Sequence, residues 1–272
     1  MPESTVPVIG GGAASNLTLS FKLEELDALI KEVRQLREEN LKIFQDIALY
    51  HKAIFNLICA VHNNVIGADI INCIRFSSRL NSADFMAKNL IPTAKTFPNR
   101  IDHLKHAIAQ TEIDGLYMEF GVFKGDSINE IALAKPDKIV YGFDSFEGLP
   151  EDWTNSMSHG TFDLQGVLPQ VKENVRLIKG WFDKTLPDFL KEHTENCAFI
   201  HIDCDLYSST KTVFDALKER IVSGTVIVFD EYINYLGWEQ GEHKAFVELM
   251  QEKNLTCDYI SCCTMQVAVK IK

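Results

Sequence analysis

The chain lacks several patterns that would place it in a large class of proteins. It contains no uninterrupted run of 18 apolar residues, and polar residues break the nearest approach, residues 53–74, so no membrane-spanning helix is predicted. Its first residues do not combine a basic stretch with an apolar one, and we expect no signal peptide. Lys and Arg number only 27 against 38 Asp and Glu, and the net charge of −11 argues against nucleic acid and anionic membranes as partners.

Two further absences narrow the chemistry. The seven cysteines are odd in number and show no C-x-x-C spacing, and several fall in predicted strands, where cysteine acts as a small apolar residue. We therefore expect a reduced, cytoplasmic compartment. The chain also has no G-x-G-x-x-G motif, which disfavours a nicotinamide-dependent dehydrogenase.

The N-terminal part of the chain is predicted to be helical. Residues 1–16 have the composition of a flexible tail, and residues 17–50 follow with a heptad pattern. With Leu19 at position a, Asn40 also falls at an a position, where asparagine often fixes the register of a two-stranded coiled coil. We expect a self-associating coiled coil, a homo-oligomer; the alternative is an amphipathic helix packed on its own domain. Residues 51–112 are predicted to form a helical lid or cap.

Residues 113–272 alternate apolar strand patterns with helical ones. Seven strands are predicted, at 116–120, 138–143, 175–178, 198–203, 225–230, 257–261 and 265–271. The last two strands are close enough to form a hairpin, which makes one strand antiparallel. The pattern predicts an α/β fold with a doubly wound, mostly parallel, Rossmann-like sheet and ligand chemistry at the carboxyl ends of its strands.

A glycine turn follows the first of these strands. Residues 119–127 include Glu119, Gly121, Gly125 and Ser127, and the glycines let the backbone turn tightly and a ligand approach. Because an acid precedes the first glycine and the glycines are four residues apart, the turn suits a ligand with an amino acid's positive charge and no phosphate. S-adenosylmethionine is such a ligand.

Two other strand ends are candidate cofactor contacts. Asp144 ends the second strand, 25 residues after Glu119, from where a carboxylate can accept hydrogen bonds from both ribose hydroxyls; the alternative is a turn or helix cap. Trp181 follows the third strand and can flank an adenine, or it can be a plain core residue.

Acidic residues cluster after two later strands. Asp203 and Asp205 follow one strand, and Asp230 and Glu231 follow another, 27 residues beyond Asp203. Carboxylates that converge in this way repel each other unless a cation lies between them or one is protonated. Hard oxygen ligands favour Mg²⁺, Mn²⁺ or Ca²⁺ over zinc. The alternative is that Asp205 or Glu231 caps a helix or faces solvent.

In their order along the chain, these motifs resemble the macrocin O-methyltransferase family, which methylates sugar hydroxyls with S-adenosylmethionine. The resemblance covers roughly residues 110–250 and rests on five blocks: 118–122 (MEFGV), 142–150 (GFDSFEGLP), 180–187 (GWFDKTLP), 203–210 (DCDLYSST) and 230–232 (DEY). The nine-residue second block is the most specific of them.

The resemblance implies a fold, a cofactor, a metal and a base. It implies a seven-stranded methyltransferase sheet, a divalent metal and oligomers with helical N-terminal elements. It places Glu119, Gly121, Asp144, Ser145 and Trp181 at cofactor positions and Asp203, Asp230 and Glu231 at the metal, which we expect to be Mg²⁺. This chain has Asp230-Glu231 where the family has Asp-Asp, and Asp205 is the natural substitute ligand. His159 is the only histidine between the second and third strands, where the family has its base.

We expect a metal-assisted O-methyltransferase that acts on a sugar hydroxyl. Two alternatives stay open: a phenol or catechol acceptor, and a coiled-coil scaffold whose methyltransferase domain binds cofactor without turnover. Residues 51–110 and 150–165 should line the acceptor pocket, with the aromatic candidates Phe76, Phe85, Phe97, Trp153 and Phe162.

Overall fold

The computed structural model describes residues 12–65, 70–90, 93–154 and 156–272, without the side chains of 12–24 and 62–65. The chain divides into two compact units between residues 69 and 70. In the described parts, no helix is long and apolar enough to cross a membrane.

The first unit consists, where it is described, of helix α1, Gly12–Val65. The helix runs for 54 residues because no proline or glycine interrupts the chain after Gly12 until residue 67. It begins inside the segment predicted as a tail, of which residues 1–11 lie outside the described residues. It also continues past residue 50, so the predicted boundary between coiled coil and cap is not a structural one.

The second unit, residues 70–272, contains the sheet. Its helices are α2 (Ile70–Asn89), α3 (Arg100–Ala109), α4 (Asp126–Ala134), α5 (Phe182–Glu192), α6 (Tyr207–Leu217) and α7 (Glu242–Lys253), with a 3₁₀ turn at Trp238–Gln240. Its strands are β1 (Lys95–Thr96), β2 (Leu116–Phe120), β3 (Val140–Asp144), β4 (Val175–Lys179), β5 (Cys197–Ile202), β6 (Val226–Phe229), β7 (Cys257–Cys263) and β8 (Gln266–Ile271).

The sheet has the strand order β1-β7-β8-β6-β5-β2-β3-β4. All seven predicted strands are present, and β1 adds an eighth at the edge through parallel pairing with β7. Strand β8 is antiparallel to both β6 and β7, which confirms the predicted hairpin. The central strands β2, β5 and β6 are buried on both faces, because helices cover both sides of the sheet.

The direction of strand progression reverses between β2 and β5. From β2 the chain proceeds outward to β3 and β4, whereas β5 returns to the other side of β2 and β6 follows it. In open α/β sheets, the carboxyl ends of the strands at such a reversal form the crevice where ligands bind. The glycine turn after β2 and the acids after β5 and β6 therefore lie at the same edge.

Candidate active site

The glycine turn between β2 and α4 requires its glycines for steric reasons. Gly121 has φ 89°, and a Cβ there would lie 1.7 Å from the carbonyl oxygen of Asp203, at the end of the neighbouring strand. Gly125 has φ 86° and precedes the first residue of α4. Both conformations are ones that other residues rarely adopt. The turn therefore brings the backbone of β2 directly against the acidic end of β5.

A buried polar group lies behind this turn. The Glu119 side chain is fully buried, and Ser127 Oγ donates a 2.5 Å hydrogen bond to Glu119 Oε1. Nδ1 of the buried His201 lies 3.7 Å from the same oxygen. Burial lowers the pKa of His201, but the carboxylates of Glu119, Asp203 and Asp230 together outweigh burial, and the net pKa is raised. Glu119 thus supports Ser127 and His201 from beneath the turn.

Asp144 braces the same turn. Its Oδ2 accepts hydrogen bonds from the backbone N–H groups of Val122 and Phe123, both at 2.8 Å, and its Oδ1 accepts one from Phe146 at 2.7 Å. The capping role weighed as the alternative for Asp144 is therefore present in the structure. Oδ1 keeps a free acceptor position, so the carboxylate can still receive one ligand hydroxyl.

A cavity of about 800 Å³ opens at the carboxyl ends of the strands. Of the predicted cofactor residues, those whose atoms line it are Gly121, Ser127, Asp144, Ser145 and Trp181. Glu119 and Gly125 are buried and do not line it. Trp181 precedes α5 and is 37% exposed, so its ring is available to a ligand rather than packed in the core.

All three predicted metal residues line the same cavity. Asp203, Asp230 and Glu231 each place a carboxylate oxygen within 4.8 Å of the others. Two backbone bonds set this arrangement, because Asp203 N donates to Phe120 O and Asp230 N donates to Ile202 O, both at 2.9 Å. The three acids of neighbouring strands are thereby held side by side.

Burial and mutual repulsion shape the electrostatics of these acids. The pKa of Asp203 is raised well above its usual range by burial and by Asp230, and the pKa of Glu231 is raised by the same two causes. Glu231 Oε2 is buried without a hydrogen-bond partner among the described residues. Three oxygen donors, one of them unsatisfied, suit a hard divalent cation.

Three charged residues near these acids have roles that the sequence reasoning left open or missed. Asp205 lines the cavity with φ 62°, and burial together with Asp230 raises its pKa to about 7. Glu242, in the first turn of α7, is fully buried and accepts a 3.2 Å hydrogen bond from Glu231 N at Oε2. In the sequence, an acid directly after Gly241 is typical of a solvent-exposed helix start, so nothing in the sequence indicated that Glu242 would be buried near the other acids.

Arg100 is the third of these residues. It is the first residue of α3, whose start is fixed by Asn99 Oδ1 accepting a 2.9 Å hydrogen bond from Asp102 N. Its Nη2 lies 3.5 Å from Asp203 Oδ2, and its Nη1 lies 3.7 Å from Asp230 Oδ2. Burial lowers the pKa of Arg100, but Asp230 and Asp203 outweigh burial and the net pKa is raised. A fixed cation therefore faces the acids.

The predicted base is not brought to this site. His159 is exposed, its backbone N–H donates to Asp152 Oδ1 at 2.7 Å, and the residue does not line the cavity. Two residues of the same loop, Met157 and Phe162, do line it. The role of His159 stays a prediction without support from its position.

An apolar wall completes the cavity. Trp153, Met157 and Phe162 line it, and Phe162 packs edge-on against Phe123 with ring centroids 5.3 Å apart. Two of the five predicted aromatic candidates are therefore at the cavity. Phe85 instead packs on Trp238 and its neighbours, Phe97 on His106, and Phe76 lies on α2 outside the lining.

Comparisons with known proteins identify the family and agree with this fold. The macrocin O-methyltransferase (TylF) family matches residues 28–268. A Streptomyces olivaceus protein, described as 8-demethyl-8-(2,3-dimethoxy-alpha-L-rhamnosyl)-tetracenomycin-C 4'-O-methyltransferase, is 31% identical over 49% of this chain and 60% of its own length. The chain thus spans about three fifths of that curated relative.

Two solved structures share the fold. The calicheamicin methyltransferase CalS11 superposes with a TM-score of 0.52 at 22% identity, covering 62% of this chain and 77% of that one. The O-methyltransferase NovP gives 0.51 at 20% identity, covering 63% and 78%. The predicted methyltransferase fold is confirmed, and, as its motifs indicated, the chain belongs to the macrocin O-methyltransferase family.

Proposed function

We propose that this protein is an S-adenosylmethionine-dependent, divalent-metal-assisted O-methyltransferase that acts on a hydroxyl of a sugar or glycosylated natural product. One observation carries the proposal: a single cavity is lined both by the glycine turn after β2 and by the three carboxylates after β5 and β6. Methyl transfer needs a cofactor and an acceptor oxygen held in contact, and this cavity offers a place for each. The described activity of the tetracenomycin relative supports the acceptor class.

The cofactor side of the cavity is assigned to the turn and the ends of β3 and β4. Asp144 would accept a ribose hydroxyl at the free position of Oδ1, and Trp181 would flank the adenine. Ser127 and Ser145 would contact the ligand from the turn side, while Glu119 holds Ser127 in place. Glu119 therefore acts on the cofactor through Ser127.

The acceptor side is assigned to the acids. Asp203, Asp230 and Glu231 would hold Mg²⁺, which the unsatisfied, buried Oε2 of Glu231 and the three converging oxygens fit. When bound, such an ion polarises a hydroxyl and lowers its pKa. The three side chains fix where the acceptor oxygen lies relative to the glycine turn.

In the proposed reaction the acceptor oxygen attacks the sulfonium methyl group in line, the O–C bond forms as the S–C bond breaks, and S-adenosylhomocysteine leaves as a neutral thioether. The protein holds both reactants, excludes water and receives the hydroxyl proton. We assign the proton to a carboxylate of the cavity rather than to His159. Asp205 is suited to this task, since it lines the cavity and is not one of the three acids assigned to the metal.

Two classes of acceptor fit the cavity. Trp153, Met157 and Phe162 offer an apolar surface to the face of a sugar ring. The same wall favours the second candidate, an O-methyltransferase of a phenol or catechol. A panel with both kinds of acceptor separates the two.

The test measures S-adenosylhomocysteine release with sugar, glycoside, nucleotide-sugar and catechol acceptors, first in EDTA and then with Mg²⁺ restored. We expect turnover with a sugar acceptor only when Mg²⁺ is present, and loss of turnover in Asp230→Asn. The control is Asp188→Asn, an exposed acid of α5 paired with Lys191, which should behave as the wild type. Cofactor affinity by calorimetry should change little in either variant, because the main cofactor contacts are assigned to the turn after β2 and to the ends of β3 and β4.

Full activity in EDTA would remove the metal from the proposal. Tight cofactor binding without turnover on any acceptor would instead favour the non-catalytic scaffold.

We also propose that the chain self-associates through α1, because apolar side chains of its heptad pattern are exposed in the single chain. Light scattering on the full chain and on a variant without residues 1–50 tests this. An unchanged oligomeric order after the deletion would reject α1 as the interface.

A further inference from the structure

Helix α1 carries a continuous apolar stripe that the described residues leave uncovered. Its a and d positions are each 45–68% exposed: Leu26, Leu29, Val33, Leu36, Ile43, Ile47 and Tyr50. Their 3.5-residue spacing is that of a coiled-coil seam. The same spacing continues at Ile54, Leu57 and Val61, and from Leu41 onward apolar residues also occupy outer positions, as Leu49 and Phe55 do. Residues 26–50 are the part of the predicted heptad segment whose seam is exposed among the described side chains.

The side chains in the seam indicate two strands. Val33 and Ile47 at a are β-branched, and Leu29 and Leu36 occupy d, the combination that favours dimers, whereas Leu26 at a and Ile43 at d depart from it. Asn40 at a is polar. In an in-register parallel dimer, Asn40 meets its own counterpart, and the two amides can hydrogen-bond to each other.

The charges beside the seam differ between its two edges. The g positions are all acidic: Glu25, Glu32, Glu39 and Asp46. The e positions carry no acid: Ile30, Arg37, Phe44 and His51. All of these side chains are exposed, and within the described part of the chain Glu32 and Arg37 make no ion pair.

This asymmetry fixes the orientation of a second copy. In a parallel dimer each g residue faces the e′ residue five positions later, so Glu32 faces Arg37 of the second copy and Asp46 faces its His51. In an antiparallel dimer g faces g′, and acid would face acid along the whole edge. Charge complementarity therefore favours the parallel arrangement.

We propose that residues 26–50 of two copies of this chain form a parallel, in-register, two-stranded coiled coil held in orientation by two Glu32–Arg37 pairs. The inference rests on the self-association proposed above and specifies its partner, orientation and register. The occupant of the stripe is a second copy of the same chain.

The test uses sedimentation equilibrium on the full-length protein and three variants. Glu32→Arg places like charges opposite each other in the parallel dimer and should weaken dimerisation by about tenfold. The double variant Glu32→Arg/Arg37→Glu restores opposite charges and should restore the wild-type constant. Glu38→Arg makes the same charge change at an outer f position and serves as the control.

A second measurement reports register directly. Leu29→Cys should form a disulfide between copies under mild oxidation, because parallel in-register strands place the two residues opposite each other. In an antiparallel dimer of residues 26–50 these residues lie at opposite ends.

Each outcome decides the question. Tighter association in Glu32→Arg, or no cross-link in Leu29→Cys while the protein remains dimeric, overturns the parallel orientation and leaves self-association intact. A trimer or tetramer overturns two-strandedness, and a monomer overturns self-association itself. Methyl transfer, measured on the same samples, judges the catalytic proposal separately.

Discussion

Arg100 lies against the acidic cluster, and we predict that it competes with the metal proposed for this cluster. Its two terminal nitrogens lie 3.5 Å from Asp203 Oδ2 and 3.7 Å from Asp230 Oδ2. Those two oxygens belong to the carboxylates that would bind Mg²⁺. A divalent ion and the guanidinium would therefore share the charge of these two carboxylates, and the variant Arg100→Ala removes one competitor.

The size of the effect follows from the distances. At about 3.6 Å and an effective dielectric constant of about 20, each charge pair would contribute about 4–5 kcal/mol before screening. The Arg100 side chain is 49% exposed, and solvent reduces exposed pairs strongly, so we expect about 1–2 kcal/mol in total. Metal affinity should therefore rise about tenfold in Arg100→Ala.

Titration with Mn²⁺, followed by electron paramagnetic resonance in the presence of S-adenosylhomocysteine, measures this affinity without turnover. Arg79→Ala, which removes an exposed arginine of α2, is the matched control and should leave affinity unchanged. A weaker Mn²⁺ complex in Arg100→Ala would refute the competition. It would show instead that Arg100 holds the carboxylates in position for the ion.

Three further changes test other parts of the site. Asp144→Asn should lower both cofactor affinity and the free energy of unfolding by about 2–3 kcal/mol each, because the amide cannot accept all three backbone hydrogen bonds. Calorimetry measures the affinity and urea unfolding measures the stability. Unchanged stability would contradict the role of Asp144 in holding the turn. His159→Ala should keep kcat within about twofold, whereas a general base would cost at least about a hundredfold. His103 is fully buried, and burial lowers its pKa from 6.5 to about 4. As the pH falls below 6.5, this histidine binds a proton in the unfolded chain but not in the folded one. The free energy of unfolding should therefore fall by roughly 2 kcal/mol from pH 7 to pH 5. Urea unfolding at several pH values should show a flatter dependence in His103→Leu, and an equal slope would exclude His103 as the cause.

The sequence predicted the sheet and the position of the acids because both follow local rules. Buried parallel strands appear as apolar runs, and residues directly after such runs must lie at the carboxyl edge of the sheet. Asp203 and Asp230 were found in this way. The glycine turn was found because only glycine tolerates the geometry that Gly121 adopts.

Features that depend on distant packing were not predictable in the same way. Strand β1 consists of two exposed residues that pair with β7, more than 160 positions later, and nothing local marks it. Arg100 reaches Asp203 across 103 positions. Its placement depends on how α3 packs, which no periodicity of α3 itself reveals. His159 lies on a loop without a repeating pattern, so the sequence could not predict where its side chain lies, and its role stays a prediction.

This chain has Asp230-Glu231 where the family has Asp-Asp, and the surroundings of Glu231, including Glu242, are still compatible with a cation site. Glu242 accepts the backbone N–H of Glu231 and is itself fully buried, so a further carboxylate stands behind the cluster. Burial, and then neighbouring acids, raise the pKa of Glu242. Burying acids beside one another is costly unless they are protonated or a cation shares them. Arg100 reaches Asp203 and Asp230 but has no ion pair with Glu231, and the buried Glu231 Oε2 has no hydrogen-bond partner among the described residues. A divalent ion bound by all three acids would neutralise the oxygen that Arg100 leaves unpaired, which is a physical reason for a metal at this site in addition to the family resemblance.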